Sequence, residues 1–125
     1  MSKPALRILL VDDKVSMLKI QQGLLQRFGH QVTAVQSAND ALSWLASRPA
    51  NAVDLVLMDM QMPETDGFQA TQNIRAAGID VPIFALTGND CDSTRAAAEA
   101  AGMNGYLTKP LNEMQLVTAW QKIAS

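Results

Sequence analysis

The chain has 125 residues, of which 48% are apolar, 18% charged and 5% aromatic, the size and composition of one globular domain. Ten Lys and Arg against twelve Asp and Glu leave a net charge of -2, with no basic excess to hold a nucleic-acid backbone or an anionic membrane. The single cysteine, Cys91, excludes an internal disulfide and a Cys-rich zinc site, and no apolar run approaches a bilayer span or a secretory leader.

Ile8-Leu9-Leu10-Val11 is a continuous apolar run closed by Asp12-Asp13, and it predicts a first strand. Residues 15 to 28 set Met17, Leu18, Ile20, Leu24, Leu25 and Phe28 three and four apart, a helical stripe expected to face the core. Gly29 stands just past that helix. Gln31 to Val35 is a short second strand, weaker because it is more polar. Ser37 is placed to cap the next helix, with Asp40 three residues on and Ala41, Leu42 and Leu45 on its inner face. Leu55-Val56-Leu57-Met58 is a third strand, ending at Asp59.

Pro63, Asp66 and Gly67 mark the loop before a helix over about Phe68 to Ala77, which Gly78 ends. Pro82 to Leu86 reads as a fourth strand followed by Thr87-Gly88. An alanine-rich helix then covers about Ser93 to Ala101, closed by Gly102. Tyr106-Leu107 is a short fifth strand leading into Thr108-Lys109-Pro110. Asn112, with Gln115 three residues on, starts a last helix carrying Leu116, Val117, Trp120 and Ile123 on one face.

Strands apolar on both faces and joined by helices imply a parallel sheet covered on both sides. Five such repeats with right-handed crossovers predict an α/β flavodoxin-like (βα)5 three-layer sandwich, sheet order 2-1-3-4-5, as a single domain over residues 1–125.

Ligands of open α/β sheets bind outside the carboxyl ends of the strands, so the residues that close each strand carry the information. With that strand order, Asp12, Asp13 and Asp59 meet at one edge of the sheet. Three carboxylates in one pocket repel by ~4 kcal/mol for each pair about 4 Å apart, so a cation must compensate them. Lys109 supplies one positive charge, and a divalent ion supplies the rest. All the ligands are hard oxygens, with a backbone carbonyl available after Asp59, which favours Mg²⁺ over zinc or copper.

Free phosphate would be repelled there, whereas phosphate bridged to Mg²⁺ would not. Asp59 is then a competent nucleophile, and Lys109 and the Thr87 hydroxyl are placed to stabilise a transferring phosphoryl group. Asp13 taken alone reads as a helix cap, Asp54 and Asp80 as polar residues at strand starts, and Asp66-Gly67 as turn chemistry. His30 reads as a surface turn residue, Trp44 as partly exposed one position off its stripe, and Cys91 as a bystander thiol.

Leu9-Leu10-Val11-Asp12-Asp13, Leu57-Met58-Asp59-Met60-Gln61-Met62-Pro63 with Asp66-Gly67, Ala85-Leu86-Thr87-Gly88, and Tyr106-Leu107-Thr108-Lys109-Pro110 together resemble the receiver domain of two-component response regulators. The resemblance covers nearly the whole chain, and the wording around Asp59 is most similar to receivers of hybrid sensor histidine kinases. It implies that Asp59 accepts a phosphoryl group from a phosphohistidine on a histidine kinase or histidine phosphotransfer protein. It further implies direct Mg²⁺ ligation by Asp13, Asp59 and the backbone carbonyl of Gln61, with Asp12 acting through water.

Lys109 would bridge to the phosphoryl oxygens beside a cis peptide at Pro110, and Thr87 and Tyr106 would form a switch pair. A partner face on the fourth and fifth helices and the fifth strand is implied in the same way. The expected location is the cytoplasm, with no membrane insertion and no direct nucleic-acid contact. A homodimer is compatible with the sequence, though no feature demands one. Lys14, Met17 and Thr65 depart mildly from the hybrid-kinase pattern, and the resemblance implies that Gln61 and Asn89 occupy positions that in the family tune phosphoryl lifetime.

Three rival readings are weaker. A Mg²⁺-dependent aspartyl phosphohydrolase wants a second carboxylate two residues after the nucleophile, where Gln61 stands. A flavin binder wants backbone donors and hydroxyls after the first strand, where Asp12-Asp13-Lys14 stand. A receiver-shaped interaction module that does not phosphorylate has no need of the full set Asp12, Asp13, Asp59, Thr87 and Lys109. The expectation is a signalling domain that phosphorylates and dephosphorylates itself, either standing alone or excised from a histidine kinase.

Overall fold

The continuous apolar runs become the inner strands because their side chains are accepted on both faces of the sheet, and the more polar Gln31–Val35 takes an edge. The computed structural model describes residues 5–48, 52–60, 67–87, 92–108 and 112–124. Its elements alternate as β1 (Arg7–Val11), α1 (Val15–Arg27), β2 (Gln31–Val35), α2 (Ala38–Ala46), β3 (Leu55–Asp59), α3 (Gly67–Ala76), β4 (Ile83–Thr87), α4 (Asp92–Ala101), β5 (Gly105–Thr108) and α5 (Glu113–Ala124). All pairings are parallel, in the order β2-β1-β3-β4-β5 that the sequence predicts. The central strands β3 and β4 are buried at every residue, whereas β2, on the edge, is exposed or half-buried throughout.

Alternation along the strands divides the core in two. Leu9, Val11, Val56, Met58, Ile83 and Ala85 pack against Ala41 and Leu45 of α2, Ala70 and Ile74 of α3 and Ala98 of α4. Ile8, Leu10, Leu55, Leu57, Phe84, Leu86 and Leu107 pack against Leu18 and Leu25 of α1 and Leu116 of α5. That is the three-layer sandwich.

Local chemistry sets the helix ends. Ser37 Oγ accepts the Asp40 N–H at 3.0 Å, and Asn112 Oδ1 accepts the Gln115 N–H at 3.2 Å. At the end of α1, Gly29 takes φ 95°, a conformation that costs side-chain-bearing residues about 1 kcal/mol or more. Its N–H donates to the Gln26 carbonyl, and the His30 N–H reaches back to Leu25. The same pair of bonds closes α3 at Gly78 and α4 at Gly102.

Two expectations need correction. Ile20 is 58% exposed, and Gln21 is buried in its stead. The buried face of α1 runs through Leu18, Gln21 and Leu25, and Ile20 lies roughly 200° round the helix from Leu18 at 3.6 residues per turn. His30 is not a surface residue but 5% exposed, because its Nδ1 accepts the Leu6 backbone N–H at 3.0 Å beneath the start of β1. Burial lowers the His30 pKa from its ordinary value, and a smaller pull from Glu113 opposes this. Its Nε2 is buried with no hydrogen-bond partner among the described residues.

Two expectations at the margins hold. Trp44 is half-buried, with the Arg48 guanidinium 4.1 Å above its ring. At the start of β3, Asp54 sits between the Arg7 backbone N–H (2.9 Å) and its guanidinium (3.3 Å). Burial raises the Asp54 pKa, but these two bonds and the Arg7 charge outweigh it and leave the carboxyl below its ordinary value.

Candidate functional site

The site forms where β1 and β3, neighbours in the sheet, run out of apolar residues together. Val11 is in register with Met58, so Asp12 and Asp59 are the next residues on adjacent strands. By alternation both continue the row of Ile8 and Leu10 or of Leu55 and Leu57, the row facing α1 and α5. Asp12 and Asp59 are fully buried and Asp13 half-buried. One carboxylate oxygen from each of the three lies within 4.8 Å of the others. Each residue sits where its element stops: the Asp12 N–H donates to the Val35 carbonyl (3.2 Å), and the Met60 N–H to that of Leu86 (3.1 Å).

Asp12 also receives the Lys14 N–H on Oδ1 at 3.0 Å. Lys14 is the N-cap residue of α1 and has no side-chain cap of its own, so Asp12, rather than Asp13, steadies the chain as it turns into the helix. Asp13 Oδ1 is buried and accepts no hydrogen bond among the described residues. A buried carboxylate oxygen without a donor is expensive unless a cation meets it. The donor set of three carboxylates, hard and anionic, suits an oxygen-seeking divalent ion.

Thr87 closes β4, 5% exposed, and Asp59 is in register with Leu86 beside it. Thr87 continues the row of Ile83 and Ala85, the face covered by α3 and α4. Tyr106 on β5 is half-buried, in register with Ala85, and packs against that same cluster. The two residues expected to form a switch pair thus share one face of the sheet, two residues apart in register. At the end of β5, Thr108 Oγ1 accepts Gln115 Nε2 at 3.1 Å, which ties the start of α5 to the site edge. Lys109, Pro110, Gln61, Asp66, Asn89 and Cys91 lie outside the described residues. No helix among the described residues is long and apolar enough to cross a membrane.

Sequence reasoning found the acidic residues because strand order alone brings them together. It missed the backbone contact of Lys14, which depends on the turn geometry after β1.

Comparison with known proteins agrees with this arrangement. The family model of the response regulator receiver domain matches residues 8–121. The chain is 39% identical to sensor histidine kinase GacS of Pseudomonas protegens over 99% of its own length and 14% of that protein's. It is 38% identical to probable histidine kinase 4 of Oryza sativa subsp. japonica over 92% of its length and 13% of that protein's. It therefore spans only about a seventh of these relatives.

Among solved structures, the receiver domain of the histidine kinase CKI1 from Arabidopsis thaliana, complexed with Mg²⁺, superposes with a TM-score of 0.82. That match is 33% identical and covers 94% of this chain and 91% of the other. The Vibrio cholerae chemotaxis protein CheY4 superposes with a TM-score of 0.80 at 25% identity, over 96% and 99% of the two chains. With the fold, the strand-end carboxylates and these matches in agreement, the chain belongs to the response regulator receiver domain family of two-component signalling, and receivers of hybrid histidine kinases are among its relatives.

Proposed function

We propose that residues 1–125 form a single cytoplasmic receiver domain that takes a phosphoryl group from a phosphohistidine onto Asp59 and thereby changes its partner-binding surface. One observation carries this reading: three carboxylates at the ends of β1 and β3, with oxygens within 4.8 Å, one of them an undonated buried oxygen of Asp13. Such a cluster is a liability to the fold unless it serves a cation and a phosphoryl group.

Mg²⁺ fits the donor set, and Asp13, Asp59 and the Gln61 carbonyl would hold it, with Asp12 acting through water. Bound there, the ion supplies positive charge for the phosphoryl oxygens. In the transfer, an Asp59 carboxylate oxygen forms the new P–O bond as the P–N bond to the donor imidazole breaks, and that nitrogen takes up a proton. In hydrolysis, a water oxygen forms a bond to phosphorus as the P–O bond to Asp59 breaks, which returns Asp59 to a carboxylate and releases inorganic phosphate with the water's protons. Burial of Asp59 at 0% exposure restricts how water reaches the acyl phosphate. The Thr87 hydroxyl donates to a phosphoryl oxygen, Lys109 pairs with another, and Tyr106 follows Thr87 on their shared face. The phosphodonor is a histidine kinase or a histidine phosphotransfer protein, whether the domain stands alone or belongs to a longer kinase.

Intact mass after incubation with acetyl phosphate tests this. One added phosphoryl group is expected with Mg²⁺, none without it and none in Asp59→Asn. If no adduct forms and beryllofluoride with Mg²⁺ leaves the spectrum of the protein unchanged, the reading is wrong and a non-phosphorylating interaction module takes its place.

A further inference from the structure

Arg75 stands in the last turn of α3, on the side of the molecule away from the carboxylates, and it uses its whole guanidinium. Nη1 donates to the carbonyls of Ile79 (2.9 Å) and Val81 (2.8 Å). Nε and Nη2 both donate to the carbonyl of Gly102 (3.1 and 2.9 Å), and Nη2 also reaches Asn104 Oδ1 at 2.9 Å. Asn104 Oδ1 in turn accepts the Ile83 N–H at 2.9 Å, and the Asn104 N–H donates to the Ile83 carbonyl at 2.8 Å. One side chain therefore joins three segments: the connection from α3 to β4, the residue that ends α4, and the connection from α4 to β5. A planar fork of five N–H donors is what allows this, and a lysine could not reproduce it.

Fit at the helix end is equally close. Gly102 has φ 101°, and a Cβ there would stand 3.2 Å from Arg75 Cγ. The C-terminal end of α4 is thus held by charge-assisted bonds to α3, while its N-terminal end follows Thr87 through residues 88–91.

We propose that Arg75 is a positioning residue that pins the end of α4 and the start of β5, making Gly102 the pivot about which α4 turns when the charge at the acidic site changes. The signalling half of this proposal rests on Asp59 being the phosphoacceptor; the pin itself does not. A ten-residue helix is about 15 Å long, so a turn of about 10° about one end moves the other by about 2.6 Å, with little displacement at the pivot. Thr87 and Tyr106 lie on the same face as α4, so a helix fixed at Gly102 converts a change beside Thr87 into tilt and not into sliding along the sheet.

Amide hydrogen exchange on the whole chain tests the pin, with Arg75→Met and Arg75→Lys beside the wild type. In the unliganded protein, Arg75→Met should speed exchange at Gly102, Met103 and Asn104 by tenfold or more relative to Leu10 and Leu57, which report opening of the sheet. Arg75→Lys should fall between. A rise shared equally by all amides marks a merely structural arginine and overturns the proposal.

With Mg²⁺ and beryllofluoride, wild-type exchange should change most at the N-terminal turn of α4 and least at Ala101 and Gly102. In Arg75→Met that change should spread through Gly102 to Tyr106. Equal change at both ends of α4 in the wild type also overturns the pivot. If the wild type neither responds nor forms an acetyl-phosphate adduct, the phosphoacceptor reading fails. The pin is then decided by the unliganded comparison alone.

Discussion

Replacing Asp13 by Asn removes one charge from the acidic site while nearly preserving its shape. The three carboxylate oxygens lie within 4.8 Å of one another, so each ionised pair repels by about 3 kcal/mol at an effective dielectric of 20. Asp13 takes part in two such pairs, but it is only half-buried, and solvent reduces the sum. A gain of about 2–3 kcal/mol without divalent ions is expected, which for a chain of this size raises the melting temperature by about 10 °C. On the proposed ligation by Asp13, Mg²⁺ should then reverse the order, because an ion that binds the folded wild type stabilises it and would lose a ligand in the variant.

Thermal unfolding followed by circular dichroism, in EDTA and in 10-fold steps of Mg²⁺, measures both halves. If Asp13→Asn melts at or below the wild type in EDTA, the repulsion argument is wrong. If Mg²⁺ raises both proteins equally, the ion binds elsewhere.

Other consequences follow from residues away from the site. His30 accepts a backbone N–H through Nδ1, so its neutral form is the folded form, and its pKa is lowered by burial. Its share of the stability is complete above the unfolded value of about 6.5 and declines as pH falls below it, by at most ~1.4 kcal/mol per pH unit. Urea midpoints at pH 7.5 and 5.5 should show this fall, and His30→Gln should flatten it; an equal slope in the variant would refute the assignment.

Gly23 lies in α1 with open space where a Cβ would go, so Gly23→Ala should stabilise by about 0.5–1 kcal/mol. Gly102→Ala, at φ 101° and against Arg75, should destabilise by about 1–2 kcal/mol; matching signs in denaturant titrations would contradict the geometry. Ser37→Ala should cost about 1 kcal/mol through the lost bond to the Asp40 N–H, read in the same titrations.

The sheet and its acidic edge were legible in the sequence for one reason: strands covered on both faces need continuous apolar runs, and their ends are then conspicuous. Asp12 and Asp59 stand out because each directly follows such a run. Where the signal depended on phase, it was less secure. Ile20 and Gln21 are adjacent, and spacing by threes and fours admits either, so only the packed neighbours decide which faces β1 and β2.

Charge and polarity hid the rest. His30 follows a glycine at a turn and looks solvated, yet the Leu6 N–H needs an acceptor there. Arg75 near the end of a helix looks like an ordinary exposed cation, since all of its partners are backbone or amide groups brought near by folding. No residue type in those segments advertises a carbonyl.

The pairing pattern of β1 also orders events in time. β1 meets β2 after a single intervening helix, as Arg7 with Gln31, but waits for its other neighbour until Leu55 has joined Ile8 from almost twice as far along the chain. As the polypeptide leaves a ribosome, β1, α1 and β2 can therefore assemble first, with one flank of β1 still open. Leu9, Leu10 and Val11 lie along that open flank, and nascent chains crowded on one message would find it sticky. Arrival of β3 seals that flank and, in the same step, brings Asp59 beside Asp12, so the newborn domain gains its anionic pocket only once β1 is paired on both sides.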